Sequence, residues 1–477
     1  MSDHSNARRN FLRNLSYTLC AGGASAFVPQ LNLISSALAQ ATVPGYRALV
    51  CVYLAGGNDA WNMVVPYDQA RYDVYRTSRS GLYDAGSNPG GLALARPANT
   101  NMNISGGGQS YFMHPAMTEL RALYNGGKIA ILPNIGTLKQ PMTKAEYNAS
   151  ASSRPPQLYS HSDQEEQWQL GRTSSFNRGW GGLVADRVRG DNLYQALSPC
   201  ISIGGSNKFE IGAQTFPYQM SSGGVTAVSA ATSTNGTDAQ RSIALQQLID
   251  ANYVSPYQQE YANVFGRSRE LYTKLQAGLG TGGVGNVSTP FPANNSLGDQ
   301  LKMVARMIKL SKRLGEGIEH RRQIYYVRIG GFDMHDNLIT NNGHQNLLQR
   351  VSQALNAFWN ALGEIDGFAR DEVTTFTMSE FARTLSTNGN GSDHAWGGMQ
   401  MVMGGRVDGG KMYGTFPDQT LNGPVSFSRG QTIPSTSVEQ MGATLARWMG
   451  VTSTTELNTI FPNLPNFSSN NLGFMLP

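Results

Sequence analysis

Six residues able to ligate a metal ion or move a proton follow apolar runs closely enough to share one edge of a sheet. Asp59 stands in Gly56-Gly57-Asn58-Asp59, directly after the apolar run 47–54. Asp333 and His335 stand in Gly330-Gly331-Phe332-Asp333-Met334-His335, after the run 324–329. Glu380 stands in Ser379-Glu380-Phe381-Ala382-Arg383-Thr384, after 373–378, and Asp393 and His394 follow one loop later. In an open parallel sheet, ligands bind at the carboxyl ends of the strands. Four carboxylates gathered there repel and raise one another's pKa unless a cation neutralises them. Carboxylate plus imidazole is the ligand set of Zn²⁺, Mn²⁺ and related ions. This number of ligands suits two divalent ions, with Zn, Mn, Mg and Ca all open. Two ions would stabilise the attacking and leaving oxygens of a phosphoryl- or sulfuryl-type displacement.

Each residue also has a purely structural reading. Asp59 could cap a following helix, Glu380 could pair with Arg383, and Asp393-His394 could sit in a solvated loop. An Asp-x-His triplet alone is a weak signal. Joint occurrence at successive strand ends favours the metal. His320 reads as a surface residue of a basic stretch, His344 as the start of a helix, and His114, before Pro115, as structural.

The elements that must position these groups alternate in type. Runs 47–54, 128–132, 324–329, 373–378 and 399–403 read as strands, the first of them as one buried on both faces. Helical spacing marks 115–124, a helix from Ser296, and 344–368, with Leu348, Val351, Leu355, Phe358 and Leu362 on one side. Thr436 and Glu439 have capping-box spacing before a last helix through Met449. This alternation predicts an α/β fold, a three-layer, doubly wound, mostly parallel sheet flanked by helices. Residues 42–477 read as one discontinuous domain. Residues 171–292 read as an irregular cap or insertion, in which 239–251 and 256–279 could hold helices.

The four motifs, in this order, resemble the domain-of-unknown-function family numbered 1501, over about residues 47–450. That family is similar to the alkaline phosphatase and sulfatase superfamily, commonly twin-arginine exported. The resemblance implies an alkaline-phosphatase-like core and a two-metal hydrolase site. Asp59, Asp393 and His394 would be ligands, with Asp333, His335 and Glu380 as further ligands or their supports. It also implies a nucleophile at a helix start, where dipole and metal lower its pKa. Ser160-His161 is the best match, against a plain capping role, and Thr137 is a second candidate. No Cys-x-Pro-x-Arg sulfatase signature is present.

Residues 1–41 carry Arg8-Arg9 before Phe11-Leu12, a weakly apolar stretch, and Ala-x-Ala at 37–39 and 39–41. That order is a twin-arginine export signal, so a periplasmic or secreted location is expected, with the export machinery as partner and no membrane span after cleavage. Removing it removes Cys20 and leaves Cys51 and Cys200, too few for a disulfide scaffold; Cys51 reads as a small buried hydrophobe. Of 477 residues only 14% are charged, 54 are Gly, and the net charge is +5. Lys and Arg form no stripe, which argues against nucleic-acid binding. The expectation is an exported metal-dependent hydrolase or transferase acting on a phosphate or sulfate ester, small or polymer-linked. The competing expectation is a member of the same fold that has lost catalysis and serves as an envelope binding or assembly module.

Overall fold

In chain order the strands are β1 (Arg47–Leu54), β2 (Val64–Pro66), β3 (Asn103–Gly106), β4 (Gln109–Met113), β5 (Ile129–Gly136), β6 (Cys200–Ser202), β7 (Tyr218–Gln219), β8 (Arg322–Ile329), β9 (Val373–Met378), β10 (Gly398–Gly404), β11 (Lys411–Met412) and β12 (Thr436–Ser437). They belong to a computed structural model that describes residues 45–98, 103–226 and 235–477. The export signal read in residues 1–41, with Cys20, lies outside the described residues. Nine strands form the main sheet in the order β11-β5-β10-β9-β1-β8-β6-β7, with β12 beside β5. β2, β4 and β3 form a small antiparallel sheet.

β1 is central because its side chains can be buried on both faces. Val50, Val52 and Leu54 enter one core, while Leu49, Cys51 and Tyr53 enter the other. Each such apolar side chain taken from water contributes roughly 1.5–3 kcal/mol. One core is covered by helices Thr118–Asn125, Ser296–Ser311 and Gly343–Ile365, whose Leu348, Val351, Leu355, Phe358 and Leu362 form the expected stripe. The other is covered by helices Trp180–Val188, Val438–Met449 and Thr454–Ile460. The result is the three-layer α/β/α sandwich expected from the alternation.

β8 and β9 both run parallel to β1. β10 runs antiparallel to β9 and to β5, because no helix intervenes between β9 and β10 to carry the chain back across the sheet. The stretch 171–292 is not one irregular cap. It supplies the Trp180–Val188 helix to the second core and β6 and β7 to the sheet. These strands of three and two residues are too short to show a period. Helices Gly236–Asp250 and Pro256–Leu279 occupy the rest of that stretch, where helices were expected.

Smaller corrections concern single residues. His320 is buried rather than on the surface, with Nδ1 2.9 Å from the Ile318 carbonyl and Nε2 3.1 Å from the Leu197 carbonyl. The capping box before the last long helix is formed by Ser437 and Gln440, one residue later than the spacing suggested. His344 does begin a helix, His114 accepts the Ala116 N–H in a buried turn, and Cys51 and Cys200 are buried free thiols. Among the described residues, no helix is long and apolar enough to cross a membrane.

Candidate metal centre

Because β9, β1 and β8 are parallel neighbours in register, their carboxyl ends, Met378, Leu54 and Ile329, lie at one edge. β5 ends and β10 begins at the same edge. Close approach of the loops there depends on Gly56, whose φ is +119°: a Cβ would stand 2.2 Å from the Asp333 backbone nitrogen. The chain after β9 pairs with the chain before β10, Ala395 N donating to Ala382 O at 2.7 Å and Thr384 N to Asp393 O at 2.8 Å. That ladder sets His394 beside the Glu380 loop. His161, the first residue of helix His161–Leu170, completes the group from after β5.

Three imidazoles point one ring nitrogen each toward Asp333. His161 Nε2 lies 3.5 Å from Asp333 Oδ2; His335 Nε2 and His394 Nε2 lie 3.2 and 3.6 Å from Asp333 Oδ1. The two last nitrogens are 2.8 Å apart. His161, Asp333 and His394 each offer a ligand atom within 4.8 Å of the others. On the far side of each ring, Nδ1 meets a fixed partner: Glu380 Oε1 at 2.9 Å for His161, Asp393 Oδ1 at 2.9 Å for His335, and the Tyr159 carbonyl at 2.7 Å for His394.

Those partners decide the tautomers. A carboxylate or carbonyl oxygen can only accept, so each Nδ1 carries a proton and each neutral ring turns a lone pair inward from Nε2. Three lone pairs then converge on the Asp333 carboxylate, whose Oδ1 also accepts from the Arg383 guanidinium. The His161 Nε2 atom is buried and has no hydrogen-bond partner. A cation is what such a donor set fits, with outer partners orienting each ring. His161, His335, His394 and Asp333 could hold one.

The carboxylates are kept ionised for this. Burial disfavours the charged form of Glu380, but the His161 hydrogen bond and the N–H of Gly56, 2.7 Å away, outweigh it and lower its pKa. Burial is likewise outweighed at Asp333 by the Arg383 guanidinium. At Asp393, hydrogen bonds from Asn388, His335 and Arg429 do the same and bring it to about 2. The Glu380 hydrogen bond raises the pKa of His161, whereas at His394 burial outweighs the hydrogen bond to the Tyr159 carbonyl and, with the Arg383 cation, lowers the pKa.

Residues 299–460 match the family described as Protein of unknown function (DUF1501). That segment contains Asp333, His335, Glu380, Asp393 and His394; Asp59, Ser160 and His161 lie before it. No curated protein matches the chain. Among solved structures, the chain is similar to Ps i-CgsB in complex with k-i-k-neocarrahexaose, at 10% identity over 89% of this chain and 77% of that one, with a TM-score of 0.36. It is similar also to BT1596, a 2-O GAG sulfatase, at 8% identity over 87% and 74%, with a TM-score of 0.31. What those proteins act on is a property of those proteins.

Residues 299–460 bring five of the six expected ligand residues together, and His161 joins them from outside that segment. Asp59 does not join. Its carboxylate is buried in an ion pair with Arg79, while its other oxygen has no partner and it makes no side-chain cap. Glu380 pairs with His161 rather than with Arg383. The buried Arg383 instead donates to Asp333 and to the carbonyls of Gly56, Gly57, Phe332 and Ser392, tying three strand-end loops together. Nothing in the spacing announced that role, since a lone Arg after Glu reads as a local pair. The Tyr159 carbonyl was equally illegible, being backbone. Ser160 Oγ donates to Asp163 Oδ2 at 2.5 Å, and Thr137 Oγ1 to Gln164 Oε1 at 2.8 Å.

Proposed function

We propose that the protein is a metal-dependent hydrolase or transferase of phosphate or sulfate esters, built around a divalent cation held by His161, His335, His394 and Asp333. The single observation that carries this reading is the convergence of three ring Nε2 atoms on one carboxylate, with every Nδ1 already occupied. When bound, a divalent cation supplies Lewis-acid polarisation of an ester oxygen and offsets the negative charge of a displacement. The chain's own residues do the rest. Glu380, Asp393 and the Tyr159 carbonyl fix the tautomers, and Arg383 keeps Asp333 ionised and aimed. One ion suits the four inward donors better than the two expected from the count of acids, because Glu380 and Asp393 are turned to the outer side of the rings.

One observation favours a second reading, a binding or assembly module that holds the ion without turnover. The two hydroxyls expected as nucleophile are occupied by Asp163 and Gln164, and both described thiols are buried with their pKa pushed up by that burial. A turnover screen separates the readings. Protein loaded with Zn²⁺, Mn²⁺, Mg²⁺ or Ca²⁺ is offered phosphate mono- and diesters and sulfate esters. The hydrolase reading expects turnover that a chelator removes and that His394→Ala lowers by at least about 100-fold. Loaded, folded protein inert on the whole panel would sink it; where turnover is found, Ser160→Ala says whether that hydroxyl takes part.

A further inference from the structure

A cleft of about 450 Å³ opens between helix His161–Leu170 and the turn that follows β6. β6 runs parallel to β8, so its carboxyl end falls at the edge that carries the candidate metal centre. One wall begins at Ser162, the residue after His161, and continues at Glu165, one helical turn along. The other wall is the turn with Ser206, Lys208 and Ile211. The two walls are fixed to each other. Gln169 Oε1 accepts the Lys208 N–H at 2.6 Å and the Phe209 N–H at 3.2 Å. The volume is that of a small-molecule site, about 300–1,000 Å³.

We infer that this cleft binds an uncharged molecule carrying several hydroxyl groups, a sugar or polyol, as the alcohol part of the ester. That last role rests on the reaction proposed above. The charges of the cleft come in pairs: Glu166 meets Lys208 at 2.6 Å, and Glu165 faces Arg328 at 3.8 Å. An anionic ligand would meet two carboxylates and a cationic one two bases, so neither sign is favoured. What stays open is hydrogen-bonding capacity of both kinds. Ser162 Oγ lies 3.4 and 3.5 Å from Ser160 Oγ and Asp163 Oδ2, too far for a good hydrogen bond. Glu165 accepts from Gln169 through Oε1 at 2.9 Å, which leaves Oε2 to accept another donor. Lys208 Nζ gives one proton to Glu166 and keeps two. Ser206 Oγ accepts from Gln219 Nε2 at 3.3 Å and keeps its own proton to donate. A hydroxyl both donates and accepts, so several on one ring can meet carboxylate, ammonium and serine together. An alkyl or aryl group would take these atoms from water without replacing its hydrogen bonds. Ile211 adds one apolar surface, suited to the C–H face of such a ring.

Saturation-transfer NMR and calorimetry on metal-free protein test the inference. The probes are glucose, galactose, mannose and myo-inositol, with glucosamine and glucuronate as charged counterparts. The expected result is binding of at least one neutral probe, weaker binding of the charged ones, and a loss of about tenfold in Glu165→Ala and Lys208→Ala. The wild-type panel stands on its own should a variant fold poorly. Folded wild-type protein that binds no neutral probe would overturn the inference. So would charged probes that bind as tightly, or neutral binding unchanged in both folded variants. Neither ester nor metal enters this measurement, so an inert ester panel sinks only the reaction and a failure of the sugars to bind sinks only this inference. Where turnover is found, Lys208→Ala should raise KM for a monophosphate of the bound sugar about tenfold relative to that for p-nitrophenyl phosphate. KM values that move alike would overturn the cleft's part in the reaction.

Discussion

His161, His335 and His394 each present Nε2 inward because Nδ1 is already hydrogen-bonded outward, so the outer acceptors matter nearly as much as the rings. Glu380→Gln and Asp393→Asn should each weaken divalent-cation affinity about 10–100-fold, read by titration calorimetry, while the fold stays intact. Asp393 carries a second prediction. Its carboxyl lies at about 2 in the fold against an ordinary 3.8. A depressed acid contributes stability above its unfolded value and loses it as pH falls through the folded one. Thermal melts of metal-free protein should therefore decline between about pH 4 and 2, and Asp393→Asn should lack that component. The buried Arg383 side chain holds three loops at once. Arg383→Met leaves four loop carbonyls and Asp333 without this donor, and urea unfolding should report a loss of about 1–3 kcal/mol.

At the scale of elements, the site is an outcome of three parallel strands ending together and of loops that can approach each other. Gly56→Ala places a Cβ 2.2 Å from the Asp333 nitrogen at a φ of +119°. Backbone strain alone costs on the order of 1–3 kcal/mol, and the displaced Asp333 loop should lower cation affinity as well. If calorimetry shows unchanged affinity in that variant, the loops do not depend on this close approach. The ends of β1 and β8 were readable from residues because these apolar runs stop at Gly-Gly. Motif position could not show direction across the edge. It placed Asp59 and Asp393 among the ligands, when Asp59 lies beside Arg79 and Asp393 backs the His335 ring, and it left Glu380 open between ligand and support. His161 was tied to the site only as neighbour to Ser160, since the chain from β5 to its helix has no period to follow. β6 and β7 were hidden by their shortness, and the buried His320 by basic neighbours in sequence.

For the whole molecule, buried acids outside the centre shape the alkaline side of the stability profile. Burial pushes Glu210 up to about 8 and Glu439 up to about 7, from an ordinary 4.5. The native state holds these protons where the unfolded chain has released them, so stability should fall as pH rises from about 4.5 to 8. Glu210→Gln should flatten that fall in urea titrations across the range. The central claim is one divalent cation on the inward nitrogens and Asp333, and elemental analysis of protein purified and dialysed with Zn²⁺ or Mn²⁺ tests it most directly. One equivalent per chain is predicted for the wild type, retained in folded Asp59→Asn and lost in His161→Ala, Asp333→Asn and His394→Ala. Metal-free wild-type protein, or an equivalent that survives His161→Ala and His394→Ala but leaves with Asp59→Asn, would contradict it.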